Sequence, residues 1–316
     1  MDKDNKIFIA GHSGLVGSAV KRKLEREGYG NLITRSYPEI DLSRQQDVES
    51  FFSKEKPEYV FLCAAKVGGI LANSTYPAEF IYDNIMIAAN IIHSSYRFGV
   101  KKLLNLGSSC IYPRLAPQPL KESYLLTGPL EPTNEPYAIA KIAAIKLCRY
   151  YNYQYGTNFI SVMPTNLYGP GDNFDLLTSH VLPALIRRFH EAKVEGKRAV
   201  TLWGTGTPKR EFLYVDDLAD ALVFLMNTHD AKMIGEFVNI GTGKDITIKE
   251  LAEIVRDIVE YGGKIKWDTT KPDGTPQKLL DVNRIETLGW KAKRGLVEGI
   301  QNTYQWYLAN ETRLKV

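Results

Sequence analysis

Through the first half of the chain, short apolar runs alternate with stretches whose apolar positions recur at helical spacing. KIFIA (6–10) is bounded by charges and a glycine turn, as a buried strand requires, and Val16 to Glu27 carries an amphipathic helical pattern. NLITRS, EYVFLCAA, KKLLNLGSS and NFISVMPTN supply further strand-like runs, and FIYDNIMIAANIIHSSYRFG reads as a helix between two of them. Apolar strands alternating with helices predict an α/β fold, a Rossmann-type doubly wound parallel sheet covered on both faces. Past Asn166 the pattern changes: a Gly/Pro/Asn-rich loop, LYGPGDNFD, leads into the helical stretch HVLPALIRRFHEAK. EFLYVDDLADALVFLMN then reads as a strand and helix returning to the first domain, and GTGKDITIKELAEIVRDIV as a turn and helix before a loop-rich C-terminal stretch. The expected domains are 1–165 plus about 211–243 for a nucleotide cofactor, and about 166–210 plus 244–316, a smaller discontinuous α/β unit, for a substrate, with a cleft between them.

Composition narrows the partners. The 316 residues are 44% hydrophobic, and 40 basic against 36 acidic residues give a net charge of +4 with no charge block. That balance gives no reason to expect nucleic acid or a membrane surface, and leaves a phosphorylated small molecule as the ligand a local basic cluster would meet. The N-terminal apolar run is too short for a signal peptide or a spanning helix, so a cytoplasmic protein is expected. Cys63, Cys110 and Cys148 are too few and too dispersed for a disulfide framework or a CxxC site, so any that matters would act as a thiol. His12, His93, His190 and His229 have no metal-ligand spacing, and no metal is expected.

GHSGLVG (11–17) follows the first strand and opens the first helix. There the chain must turn tightly and let its backbone approach a pyrophosphate held by the free N–H groups of the helix. Gly11, Ser13, Gly14, Leu15, Val16 and Gly17 are the candidate cofactor contacts, although GxxGxxG departs from the GxGxxG spacing. An NAD site places a carboxylate at the end of the second strand, whereas Thr34, Arg35 and Ser36 stand there here. This favours NADP(H), with Arg35 on the 2′-phosphate. Asp41 and Leu42 fit the adenine side, and Cys63, Ala64 and Ala65 close the third strand over the cofactor.

NEPYAIAK (134–141) sets Tyr137 and Lys141 four residues apart, one turn on the same helical face. An ammonium beside a phenol favours phenolate, which would make Tyr137 an acid/base group near neutrality; a surface helix with a half-buried Tyr is the plainer reading. Together with the glycine loop and the strand end GSSC (107–110), however, this pair resembles the extended short-chain dehydrogenase/reductase family. AAKVGGI, NSTYPAEFIYDN, LGSSCIYP, EPTNEPYAIAK, SVMPTNLYGP, SHVLPALIRRFHEA, GTPKREFLYVDDLA and KPDGTPQKLLDV extend the likeness from about Phe8 to Tyr307. Within the family, they resemble the members that act on GDP-linked 4-keto-6-deoxy sugars.

The resemblance implies C3/C5 epimerisation followed by NADPH-dependent reduction at C4. A 4-keto group acidifies the protons on C3 and C5, and inversion needs a base on one face and an acid on the other. The resemblance assigns Cys110 as base and His180 as acid, both groups that can be tuned to titrate near neutrality. It places Tyr137 on the C4 oxygen, with Ser108 sharing that oxygen and Ser109 as the alternative. Lys141 then tunes the phenol and holds the nicotinamide ribose, Pro164, Asn166 and Leu167 line the nicotinamide pocket with His180, and Arg188, Trp203, Arg210 and Asp281 bind the GDP moiety. Arg187 reads as a solvated charge, and the residues alone would suit UDP as well as GDP. A homodimer built on helices of the cofactor domain is also implied. The alternative is an NAD-retaining 4-epimerase of the same fold, which moves hydride out and back and needs no acid/base pair on carbon.

Overall fold

The computed structural model describes residues 1–176, 178–271 and 273–314. In chain order the first elements are β1 (Ile7–Ala10), α1 (Leu15–Arg26), β2 (Leu32–Ile33), α2 (Gln45–Glu55), β3 (Tyr59–Leu62), α3 (Ile70–Thr75), α4 (Pro77–Arg97), β4 (Lys102–Leu106), α5 (Glu135–Tyr155) and β5 (Phe159–Pro164). There follow β6 (Asn166–Tyr168), α6 (Val181–Val194), β7 (Ala199–Trp203), β8 (Lys209–Tyr214), α7 (Val215–Thr228), α8 (Ala231–Ile234) and β9 (Val238–Ile240). The chain ends with β10 (Asp245–Thr247), α9 (Ile248–Val259), β11 (Lys264–Asp268), β12 (Gln277–Lys278), α10 (Asn283–Thr287) and α11 (Leu296–Leu314).

Six parallel strands form the central sheet in the order β2-β1-β3-β4-β5-β9. The strand order reverses beside β1, so the crevice at the carboxyl ends of β1 and β3 is where a doubly wound sheet binds its ligand. The apolar runs of β1 and β4 are buried throughout, because helices cover both faces. On one face α1 packs Val16, Ala19, Val20 and Leu24 against Leu218, Leu222 and Leu225 of α7. On the other, Phe52 of α2, Ile91 and Ile92 of α4 and Cys148 of α5 meet Phe8, Val60 and Phe159. β2 is shorter than NLITRS suggests: the Ser36 amide and hydroxyl both donate to Glu39 (2.6 and 2.7 Å), folding that stretch into a turn before it can extend the ladder.

A second core lies around Tyr168, Phe174, Leu185, Phe189, Val255 and Tyr307. Thr247 starts α9 with a capping box, its hydroxyl accepting the Glu250 amide (3.1 Å) while Glu250 reaches back to the Thr247 amide (3.0 Å). The strand and helix of EFLYVDDLADALVFLMN go to different places: α7 packs on α1, but β8 lies in a separate sheet between β10 and β12, with β6 also paired to it. The strand completing the central sheet is β9, a three-residue run too short to signal itself. Among the described residues no helix is long and apolar enough to cross a membrane.

Candidate active site

At the end of β1 the chain turns through Gly11, whose φ of +82° suits glycine, and a Cβ there would lie 2.7 Å from the Ala64 backbone. A Cβ on Gly17 would sit 2.1 Å from the Gly11 carbonyl oxygen, so glycine lets α1 begin directly against the loop. Gly14 precedes α1 with no side-chain cap, which leaves the first-turn N–H groups to whatever occupies the crevice. That crevice is a cleft of about 770 Å³, and every residue expected at the cofactor lines it, from Gly11 to His180. Arg35 lies along it with its guanidinium engaged: it donates to Glu55 (2.6 Å) and to the Thr34 carbonyl (2.7 Å), 6.0 Å from the Phe51 ring centroid. The Asp41 carboxylate accepts the amide and hydroxyl of Ser43 (2.9 and 2.6 Å), which hold it below its usual pKa.

Ser108, Tyr137 and Lys141 line the same cleft. Ser108 follows β4 and caps the short 3-10 turn Ser109–Ile111, its hydroxyl oxygen accepting the Cys110 amide at 3.5 Å. Tyr137 sits in the first turn of α5, edge-on to Phe80 (6.4 Å, 77°), with Ser108 near enough to its phenol to favour the ionised form. One turn on, the Lys141 ammonium donates to the Leu106 carbonyl (2.9 Å), 5.6 Å from the centre of the Tyr137 ring.

The expected lowering of the phenol pKa is reversed here. Burial pushes Tyr137 up, the nearby Cys110 adds to that, and Ser108 opposes it. The ammonium is turned toward Leu106 and is itself pulled down to about 8 by burial. Spacing set the two side chains on one face, but the carbonyl at the end of β4 set the direction of the charge.

Cys110 is 7% exposed and lies behind Ser108, in a small recess beside the cleft shared with Tyr112, Gln118, Glu131 and Lys278. Burial raises its thiol pKa, against the Ser108 hydrogen bond and the charges of Lys278 and Lys141. His180, at the start of α6, opens onto the cleft. Its ring is exposed to the open cleft yet surrounded by protein, and that environment, followed by the Lys278 charge, lowers its pKa.

Beyond His180, Arg187 is occupied by Glu191 (2.7 Å) and the Phe174 carbonyl (3.2 Å), whereas Arg188 has no ion-pair partner among the described residues. Arg188 does not line the cleft as it stands. Arg210, on β8, donates only to its neighbour's carbonyl (2.7 Å) among the described residues. Trp203 is 67% exposed at the end of β7, with the Lys271 ammonium 5.7 Å from its ring.

Asp281 does not line the cleft: its carboxylate accepts the Asn283 amide (3.0 Å) in an Asx-type turn that leads into α10, and its backbone joins the Leu120 segment. The carboxylate found beside Arg210 is Asp273, which accepts the amide and hydroxyl of Thr205 (2.9 and 2.7 Å) two residues beyond Trp203. Asp273 and Lys278 were both missed from sequence. They lie in KPDGTPQKLLDV, whose proline and glycine read as loop; no periodicity marks the two-residue β12, which is ordered by pairing with β8.

Residues 7–241 match the model of the NAD dependent epimerase/dehydratase family. GDP-L-fucose synthase 1 of Arabidopsis thaliana is 62% identical over 98% of this chain and 95% of its own length. GDP-L-fucose synthase of Escherichia coli K12 is 54% identical, covering 98% of each chain. Among solved structures, a GDP-mannoheptose C4 reductase from Campylobacter jejuni with NADP bound superposes with a TM-score of 0.92 at 44% identity, over 98% of this chain and 99% of that one. The matched span holds the glycine loop, Ser108, Tyr137 and Lys141, and with them the chain belongs to the NAD dependent epimerase/dehydratase family.

Proposed function

We propose that this chain converts GDP-4-keto-6-deoxy-D-mannose to GDP-L-fucose, epimerising C3 and C5 and then reducing C4 with NADPH. The observation that carries the reading is the Cys110 thiol behind Ser108, within electrostatic reach of Tyr137, and His180 on the same cleft as Tyr137. A plain ketone reductase needs neither a thiol nor an imidazole beside its Ser/Tyr/Lys set. The two curated relatives described above are GDP-L-fucose synthases and match at 54–62% identity over nearly the whole chain.

The cleft fits a dinucleotide: a glycine cradle a Cβ would fill, an uncapped helix N-terminus, and room of about 770 Å³. Arg35, held by Glu55 over Phe51, would meet the 2′-phosphate, and Lys141 the nicotinamide ribose. When bound, NADPH supplies the hydride for C4. The chain's own groups do the rest. Cys110 takes the proton from C3 or C5, His180 returns one to the opposite face, and Ser108 and Tyr137 hold the C4 oxygen while it carries enolate charge. Tyr137, its pKa raised by burial, keeps its proton until the alkoxide at C4 needs it. Arg210 and Arg188, neither of them in a direct ion pair among the described residues, supply cations for the diphosphate, and Trp203 a face for the guanosine.

A homodimer belongs to the same reading. On α4 and α5, Tyr96 stacks on Tyr155 (4.2 Å between centroids) and both remain exposed, an aromatic face suited to a second copy. So does a cytoplasmic location, where both phosphorylated ligands are accessible without transport. The test incubates purified protein with NADPH and GDP-4-keto-6-deoxy-D-mannose in D₂O and analyses the product by NMR. Stoichiometric NADPH loss with deuterium at C3 and C5 of GDP-L-fucose is expected; loss of NADPH without deuterium would reduce the proposal to a C4 reductase.

A further inference from the structure

β12 has only two residues, yet it is fixed from both sides. Lys278 pairs in register with Arg210 of β8. Just beyond it, the Leu280 amide donates to the carboxylate of Glu211 (2.8 Å), a fully buried group that also accepts the amides of Thr242 (2.5 Å) and Gly243 (2.8 Å). On the opposite side runs the segment that leaves Cys110. Gln118 accepts the Leu279 amide (2.9 Å) and donates to the Gln277 carbonyl (3.3 Å), and the Leu120 amide donates to the Leu279 carbonyl (2.7 Å). Tyr112, two residues past Cys110, donates to Asn239 (2.6 Å), whose amide reaches the carbonyls of Leu120 (2.9 Å) and Asp281 (3.2 Å). This network holds Cys110 and Lys278 on the walls of one recess. Lys278 has no ion-pair partner among the described residues, although exposed lysines elsewhere, such as Lys101 with Glu58, do.

We propose that Lys278 is the positioning charge of the proton-transfer half-reaction: its ammonium holds the Cys110 sulfur as the thiolate that takes the carbon-bound proton, and stands beside His180, which returns one. This rests on the epimerase part of the function proposed above. Burial acts on both partners, pushing the thiol up and the ammonium down, so each alone favours its neutral form. As a pair they hold the same proton count as thiol plus amine, and their mutual attraction favours the charged arrangement.

The other groups around them come from several elements. Lys141 of α5 also favours the thiolate, and Tyr137 of α5 is a second acid beside it. Arg114 and Glu131 border the recess, and Arg210 on β8 opposes the Lys278 charge while Glu131 supports it. His180 feels Lys278 as a like charge, which makes its imidazolium a readier donor.

In the step itself, the C–H bond at C3 or C5 breaks, its proton passes to the Cys110 sulfur, and its electron pair moves onto the C4 oxygen as an enolate. The enolate then collapses back to the ketone as His180 gives its N–H proton to the opposite face. The thiol returns its proton to the imidazole through solvent, and Lys278 remains an ammonium throughout.

The test titrates the thiolate by its ultraviolet absorbance in substrate-free enzyme, as the difference between the wild type and Cys110→Ser, so that Cys63 and Cys148 cancel. The same difference is taken in Lys278→Met and Lys278→Arg backgrounds. Lys278→Met is expected to move the Cys110 titration up by at least about one pH unit. The acidic limb of the pH profile for deuterium incorporation at C3 and C5 should move with it, costing about tenfold in exchange below that limb, while Lys278→Arg restores both. A Cys110 titration in Lys278→Met that superposes on the wild type overturns the proposal, as does a variant that raises KM alone and leaves the exchange profile in place. Lys278→Gln serves the same comparison if Lys278→Met does not fold. Wild-type protein that shows the titration but no carbon exchange would instead reject the epimerase reading itself.

Discussion

Lys141 is 7% exposed, and among the described residues its ammonium has one hydrogen-bond acceptor, the Leu106 carbonyl at 2.9 Å. Burial pulls its pKa from 10.5 to about 8. At about 1.4 kcal/mol per pH unit, keeping this lysine charged at neutral pH costs the fold about 3 kcal/mol. The folded pKa is depressed, so the unfolded chain binds more protons between about pH 8 and 10.5. The stability linked to this group is therefore complete above 10.5 and lost as pH falls through 8. Lys141→Met keeps the aliphatic length and removes the charge, at the expense of a buried carbonyl left without its donor, worth about 1–2 kcal/mol. The cofactor-free variant should be more stable than the wild type at neutral pH by about 1–2 kcal/mol, while C4 reduction falls at least about 100-fold. Urea unfolding followed by circular dichroism, repeated at increasing pH, measures this directly. The advantage should shrink as pH rises through the window. A variant less stable at neutral pH, or a difference independent of pH, would refute charge burial as the cause.

Lys102 tests the same physics with the opposite sign. It is 5% exposed and also pulled to about 8, but its ammonium binds the carbonyls of Leu225, Met226 and His229 (2.8, 2.8 and 2.5 Å) at the end of α7. Three orphaned acceptors at about 1–2 kcal/mol each offset or outweigh the relief of one charge, so Lys102→Met should give no gain and cost up to about 3 kcal/mol in the same urea assay. Tyr137→Phe removes the proton donor to C4 and should lower NADPH oxidation at least about 100-fold, with NADPH affinity by fluorescence titration within about twofold of wild type. Gly17→Ala forces a Cβ to 2.1 Å from the Gly11 carbonyl, so the loop must shift; NADPH affinity should fall about 10- to 100-fold in the same titration.

What was legible in the sequence is what local physics determines. The strand, turn and helix around GHSGLVG follow from an apolar run, glycines and a 3.6-residue period, and α4 and α6 announce themselves by length and pattern. Tyr137 and Lys141 share a face because a helix puts them there. The direction of the ammonium was not legible, since it depends on a carbonyl contributed by β4, nor was the burial that raises the phenol's pKa with Cys110 beside it. Lys278 and Asp273 escaped for a related reason. Lys278 is placed by β8, by Glu211 and by residues 118–120, and Asp273 by Thr205, partners far along the chain that no window of sequence contains. Asp281 attracted attention by its motif, and its carboxylate closes a turn onto the Asn283 amide ahead of α10.

The distribution of charge partners ties these findings together. Several basic side chains are paired with carboxylates, both away from the cleft, as Arg22 with Asp216 (2.8 Å) and Lys23 with Asp220 (2.7 Å), and along it, as Arg35 with Glu55 (2.6 Å) and Lys66 with Asp83 (3.0 Å). Around the cleft, Lys141, Lys278, Arg188 and Arg210 have no ion pair among the described residues. Burial strips Lys141, Lys278 and His180 of hydration and lowers the pKa of each, and for Lys278 beside Arg210 and His180 beside Lys278 like-charge repulsion adds to it. Folding alone gives no reason to gather them, because pairing each with a carboxylate would cost less. Anionic ligands do give a reason: the phosphates of a dinucleotide and of a sugar nucleotide, and the enolate and thiolate that exist only during the reaction. The same charges that weaken the ligand-free fold are then the ones that bind and turn over its substrates, and a substitution that relieves them should stabilise the protein as it disables it.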